Sequence, residues 1–143
     1  MDSALLRRPA YALSVRQPWV ALIVSGGKTT EIRNWSTAIR GRVHIHAARL
    51  ADGRNEAWGL VAEELQPLAE LTGGLIGTAD LTSCVVYRTP QRFAEDARDH
   101  LNEPAWFEPP MMYGFTFRGA APRPFVPCRG SVRFFNVEVP EVK

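Results

Sequence analysis

The chain has 143 residues, of which 45% are hydrophobic and 22% charged, with a net charge of +2. That is enough for one domain with a real core and too few for two. No stretch approaches the roughly 20 apolar residues of a membrane span, and the charges of Met1–Pro9 follow its apolar residues, the wrong order for a secretory signal, so the expected setting is cytoplasmic, with no membrane partner.

Residues 1–11 read as a lead-in that runs into a short buried strand, Tyr11 to Val15. Arg16-Gln17-Pro18-Trp19 follows. Proline suits the first turn of a helix, where its missing N–H has no partner to lose. The apolar run Trp19 to Val24 therefore predicts a short, covered helix, closed by Gly26-Gly27. Lys28 to Trp35 reads as a strand. Its alternation places Thr30 and Ile32 on one face and Glu31, Arg33 and Trp35 on the other, with Ile32 the expected core residue. A turn with Arg40 leads to a second strand, Arg42 to Ala47, with Val43 and Ile45 inward and Arg42, His44 and His46 on the other side.

Asn55 to Leu71 has the period of a helix, with Trp58, Val61, Ala62, Leu65 and Leu68 on one stripe and Pro67 as a kink or division. Leu75 to Tyr87 is the longest strand-like run, and Gly77 permits it to bend around a small barrel. Asp80 sits mid-strand, where aspartate has poor propensity; it is either solvated or held in a site. A helix from about Gln91 to Leu101 precedes Asn102–Met112, whose three prolines, two aromatics and two methionines predict a packed loop or lid. Tyr113 to Phe117 is a strand, Ala120 to Pro127 is extended and proline-rich, and Ser131 to Val139 is the final strand. Five or six strands with inserted helices predict an α+β fold, a small, largely antiparallel barrel in one domain over residues 12–139, with 140–143 as a tail.

Charge is unevenly spread. Residues 1–54 carry nine basic and three acidic side chains; residues 55–143 carry eight and twelve. A basic half that feeds one face attracts a phosphate backbone, whereas folding that mixes the halves erases the patch. Fifteen of the seventeen basic residues are arginine, and Lys28 is the lone internal lysine. A lysine's pKa falls on burial while a guanidinium stays charged, so Lys28 is a candidate for chemistry arginine cannot do. Cys84 and Cys128 read as ordinary thiols in a reducing compartment. His44 and His46 lack a third ligand nearby, so neither a metal nor another cofactor is expected. Gly26-Gly27-Lys28-Thr29 lacks the first glycine of a phosphate loop and precedes a strand rather than a helix. Motifs of serine hydrolases, zinc proteases and zinc-dependent nucleobase deaminases are absent.

The segments Ala12-Leu13-Ser14-Val15-Arg16-Gln17-Pro18-Trp19, Gly27-Lys28-Thr29-x-Glu31-x-Arg33-x-Trp35 and Gly41-Arg42-Val43-x-Ile45-His46-Ala47 resemble the ASCH domain (activating signal cointegrator-1 homology). Gly74 to Ala79, Trp106-Phe107, Tyr113-Gly114-Phe115 and Pro127 to Gly130 extend the resemblance in the same order. It implies a PUA-like barrel, related to RNA-binding domains, whose first helix and following strand border a cleft for RNA or a nucleobase. On that reading the binding set is Arg16, Gln17, Trp19, Lys28, Glu31, Arg33, Trp35, Arg40, His46 and Tyr113. Arginines would neutralise phosphates, Trp19, Trp35 or Tyr113 would stack on a base, and Glu31 would accept from a base amino group. The plainer alternatives are core packing for the tryptophans and an ion pair for Glu31 and Arg33. The expected partner is RNA, single-stranded DNA or a modified nucleoside.

The family also contains a short-chain subgroup that hydrolyses acetylated cytidine, and members that cleave RNA. A hydrolase would use Lys28 with Glu31 or Asp80. The chain departs from that subgroup in having Glu31 where the subgroup has threonine, and the shorter Asp80 where it has glutamate. A protein-interaction module of a transcription or translation complex is a third reading.

Overall fold

The structure, a computed structural model, describes residues 7–140. Residues 1–6 of the expected lead-in and 141–143 of the expected tail lie outside the described residues. Six strands form one sheet: β1 (Arg7–Val15), β2 (Thr30–Arg33), β3 (Gly41–Ala47), β4 (Gly74–Tyr87), β5 (Met112–Pro127) and β6 (Phe134–Pro140). Their order is β2-β5-β4-β3-β1-β6. Only β1 and β3 run parallel; every other pair is antiparallel. This is the α+β, mostly antiparallel curled sheet that the strand count anticipates. Residues 7–11 are not a lead-in: they are strand, paired with β6 from Arg7 opposite Pro140 to Tyr11 opposite Asn136. No described helix is long and apolar enough to cross a membrane.

Register shifts in β4 fall between Leu75 and Gly77, Thr78 and Asp80, and Leu81 and Ser83, and they bend the 14-residue strand around the core. Gly77 is needed there because a Cβ would stand 2.3 Å from the Ala121 carbonyl oxygen. Helix α1 (Trp19–Val24) fills the hollow of the curl, and all six of its residues are buried. At about 1.5–3 kcal/mol for each large aliphatic side chain, this one helix is a major part of the core. Gly26, with φ +88°, ends it in the left-handed region.

The sheet does not close by hydrogen bonds between β2 and β6 among the described residues. Aromatic rings close it instead. Trp35 meets Phe115 at 5.1 Å and Phe134 at 5.9 Å between centroids, both edge to face, and Phe115 stacks on Phe134 at 5.9 Å.

Strand β2 corrects the expected facing. Glu31 stands opposite Phe115 and Arg33 opposite Tyr113, so Glu31 and Arg33 share the inner face with the main core. Thr30 and Ile32 face outward, and Ile32 packs on a smaller cluster of Tyr87, Phe93 and Met112. Both faces of the strand are covered, so alternation separates the two sets without saying which is inside.

The stretch read as one helix from Asn55 is three short turns: α2 (Asn55–Trp58), a 3-10 turn (Glu63–Leu65) and α3 (Gln66–Ala69). Gly59 follows the first, and Pro67 cannot donate to a helix running through it. The next predicted helix also divides, at Asp96, into α4 (Pro90–Glu95) and α5 (Ala97–His100). The proline-rich stretch from Ala120 is the second half of β5, where β2 no longer pairs and one edge stays free of the ladder.

Candidate nucleic-acid interface

A cleft of about 550 Å3 opens where the end of β1, the start of α1, β2 and three loops converge. Ser14 to Arg16 come from β1 and its exit, and Lys28 and Glu31 to Trp35 from β2 and its flanks. Asp52 and Arg54 follow β3, Asn102 follows α5, and Ser131 to Arg133 precede β6. Five cations and two carboxylates line it.

Lys28 is the most deeply placed cation, 1% exposed. Its backbone N–H donates to Leu22 O at 2.9 Å, tying it to the end of α1. Its Nζ donates to the His100 carbonyl, stands 3.6 Å from Glu31 Oε1 and lies 4.7 Å above the Trp19 ring. Burial pushes the ammonium down to about 8, against the pull of Glu31, which favours the charged form. Glu31 therefore serves two cations, because its other oxygen accepts from Arg33 Nε at 3.1 Å. Arg33 Nη2 stands 3.0 Å from the same oxygen and donates to Ser14 O at 2.9 Å.

The His100 carbonyl is held in place by its own ring. His100 Nε2 donates to Phe93 O at 2.8 Å, and Nδ1 accepts from Asn102 N–H at 3.0 Å. That bonding fixes one neutral tautomer, and burial lowers the ring's pKa.

Beyond Trp19 stands a second group. Trp19 Nε1 donates to Asp52 Oδ2 at 2.8 Å. Asp52 also takes the Arg54 guanidinium, with Nε at 3.0 Å from Oδ1 and Nη2 at 2.7 Å from Oδ2. The hydrogen bonds from Arg54 hold the Asp52 carboxyl down to about 2. The guanidinium lies 3.7 Å from the centre of the Trp106 ring, and Trp106 packs edge to face on Trp19 at 6.4 Å. Trp106 sits in a 3-10 turn (Pro104–Trp106) of the loop expected to cover something; it covers Trp19.

Of the ten residues of the expected binding set, the structure brings Arg16, Trp19, Lys28, Glu31, Arg33 and Trp35 to the cleft. The other four lie outside it. Gln17 is buried, with its amide donating to Leu68 O and Leu71 O and its Oε1 accepting from Ala21 N; it ties α1 to α3. Arg40 is exposed and folds onto Thr37 O and Ile39 O. Tyr113 Oη donates to Met111 Sδ at 3.1 Å.

A register shift between Ile45 and His46 breaks the alternation of β3, and His46 is buried beneath Gly130. Its Nε2 donates to Cys128 O at 2.9 Å, and its Nδ1 is hydrogen-bonded with the Ser14 hydroxyl at 3.0 Å. Asp80 also lies outside the cleft. It is half-exposed and pairs with Arg42 across β3 and β4 at 3.6 Å. Among the described residues, no group of three or more His, Cys, Asp or Glu stands where it could hold a metal ion.

Sequence reasoning missed Asp52, Arg54, Asn102, Trp106 and Arg133. Asp52-Gly53 carried only a loop signal. The hints for Trp106 were its place in an apolar loop too rich in proline to be a regular element and its part in the family resemblance, and neither joined it to Arg54.

The ASCH domain family matches residues 13–127. The chain belongs to the ASCH family. It is similar to human activating signal cointegrator 1, at 34% identity over 88 residues that make up 52% of this chain and 14% of that protein. It thus corresponds to about one seventh of that relative's length. The solved structure of ASCH from Zymomonas mobilis superposes with a TM-score of 0.59 at 21% identity, covering 82% of this chain and 72% of that one. Two single-residue variants of the same protein superpose with the same TM-score. At this identity the likeness carries the fold, which agrees with the PUA-like architecture of the ASCH chain.

Proposed function

We propose that this ASCH domain binds single-stranded RNA or DNA, with a base or modified base taken into the cleft. The observation that carries the reading is the composition of one concavity: a Lys28–Glu31–Arg33 hydrogen-bonding group, tryptophan walls and arginines at the mouth. Membership of a family with an RNA-binding, PUA-like fold supports it. Four of the five cleft cations, Arg16, Lys28, Arg33 and Arg54, come from the basic N-terminal half, and Arg133 joins them from the C-terminal half. A cleft of about 550 Å3 is of the size that small-molecule sites occupy. Partly exposed Trp35 offers a stacking surface, worth about 1–3 kcal/mol per base. The test is fluorescence anisotropy with labelled single-stranded RNA and DNA oligonucleotides across a salt series. Affinity is expected to fall as salt rises; absence of binding at every salt concentration refutes the reading.

The Lys28 ammonium, brought down to about 8 in the cleft beside Glu31, supports a second reading, a hydrolase of an acylated nucleoside or of RNA. Lys28 would act as base near neutral pH. Asp80 takes no part in this reading, because it lies on the outer face of β4 with Arg42. Hydrolysis of acetylated cytidine or RNA that disappears in Lys28→Met is the expected result; hydrolysis unchanged in that variant removes it.

A further inference from the structure

Arg54 is held differently from every other arginine at the cleft. Its Nε–H and one Nη2–H are committed to Asp52. Asp52 is itself fixed from two further directions, by Trp19 Nε1 and by its own N–H donating to Gln17 O at 2.8 Å. The guanidinium carbon lies over the Trp106 ring, 3.7 Å from its centre. A guanidinium has five N–H donors in a rigid fork. With one edge taken by Asp52, the Nη1/Nη2 edge remains, and among the described residues no other acceptor takes a hydrogen bond from this side chain. The side chain is 48% exposed and lines the cleft. Arg33, by contrast, commits Nε to Glu31 and Nη2 to both Glu31 and Ser14 O, so its Nη1/Nη2 edge is already half-used, and its side chain is only 21% exposed.

A free, immobilised guanidinium edge matches two oxygens of a phosphate, and its rotamer freedom is already lost before the ligand arrives. Glu56 and Glu108 are near enough to favour its charged form, but neither forms an ion pair with it among the described residues. Exposed Arg16 adds a second cation on the same cleft, so the anion is met by a net positive lining.

We infer that the Asp52–Arg54–Trp106 group is a phosphate subsite of the cleft, and that the cleft selects a phosphorylated nucleotide over the free nucleoside. This rests on the nucleic-acid reading above and deepens it: the base enters beside Lys28 and Glu31, and the phosphate seats on the open edge of Arg54. The ligand class is a nucleoside monophosphate or one unit of a phosphodiester chain. An uncharged nucleoside leaves the subsite empty.

The test compares uridine, uridine 5′-monophosphate and inorganic phosphate on the wild-type chain, on Arg54→Met and on Arg54→Lys. The readouts are isothermal titration and the indole N–H signals of Trp19 and Trp106. Wild type is expected to prefer the monophosphate over uridine by about tenfold or more, the scale of one charge-assisted contact. Met keeps an apolar stem on Trp106 but has no donors, so Arg54→Met is expected to lose the preference for the monophosphate. Lys keeps the charge without the fork, so Arg54→Lys is expected to fall short of wild type, and that variant decides the matter if the methionine chain fails to fold.

Equal binding of uridine and its monophosphate by wild type, or a full preference retained in both variants, overturns the subsite and leaves the nucleic-acid reading standing. If no nucleoside, nucleotide or oligonucleotide binds, yet inorganic phosphate moves the Trp106 signal in wild type and not in Arg54→Met, the anion subsite stands and the nucleic-acid reading falls. A Trp106 signal that phosphate does not move overturns the subsite.

Discussion

Glu31 and Asp52 both line the cleft, and each holds an arginine. Glu31 is shared by two cations, is nearly covered, and holds an Arg33 whose Nε and Nη2 are committed and whose side chain is mostly covered. Asp52 serves one cation and leaves that cation half-exposed with an open edge. Two pairs of the same chemical type are thus exposed very differently in one cleft. A buried ion pair returns little net stability once desolvation is counted, but its geometry fixes the positions of what it joins. The Glu31 pair joins α1, β2 and the end of α5 through Lys28, and it shapes the cleft. The Asp52 pair aims a charge that solvent and a ligand can still reach.

Removing the carboxylate from each pair sharpens this difference, and the largest effect belongs to Glu31. Glu31→Leu leaves Lys28 buried without a counter-ion beside it and is expected to cost about 3–5 kcal/mol in urea unfolding. Adding Lys28→Met to it removes the stranded charge and is expected to recover most of that loss. A single Glu31→Leu that unfolds like wild type contradicts the assignment of Glu31 as the neutralising partner.

Asp52 has a smaller and pH-dependent effect. Its folded pKa, about 2, lies below the unfolded value. The stabilisation is therefore present in full above the unfolded value, near 4, and is lost as pH falls toward 2. Arg54 is half-exposed, so solvent screening reduces the contribution to about 1–2 kcal/mol at neutral pH. Asp52→Asn is expected to lose that amount at pH 7 and to show a flatter acid limb than wild type between pH 4 and 2. Parallel acid limbs in the two chains contradict it. The Glu31 effect is read at neutral pH and the Asp52 effect on the acid limb, so the two measurements separate the pairs.

The sequence made the fold legible and the site only half so. Strand count, the covered helix from Trp19, the bend at Gly77 and the family motifs led to the PUA-like sheet. Lys28 stood out from the arginine-rich composition alone, and it proves to be the buried cation. What failed has local causes. Period-two alternation on β2 separated Glu31 and Arg33 from Ile32 but assigned the wrong face to the core, because helices cover the outer face as well. The shift between Ile45 and His46 turned His46 inward, and no residue of β3 announces it. Arg54 and Trp106 were illegible for a different reason: their contact joins residues 52 apart in the chain, across two loops. Spacing and periodicity report on neighbours along one element and carry nothing about such a meeting.

A third carboxylate–arginine pair lies outside the cleft and is expected to matter least. Asp80 and Arg42 stand 3.6 Å apart on the outer face of the sheet, with side chains 44% and 59% exposed. Water and salt screen such a pair, and holding two mobile side chains together offsets the attraction, so its worth is about 0–1 kcal/mol. Asp80→Asn is therefore expected to shift unfolding by less than about 0.5 kcal/mol, and to leave oligonucleotide affinity and its salt dependence as they are in wild type. A changed salt dependence in Asp80→Asn would mean that the ligand's path crosses the outer face of β3 and β4. The distinction between a shaping pair and a presenting pair within the cleft would then describe only part of the interface.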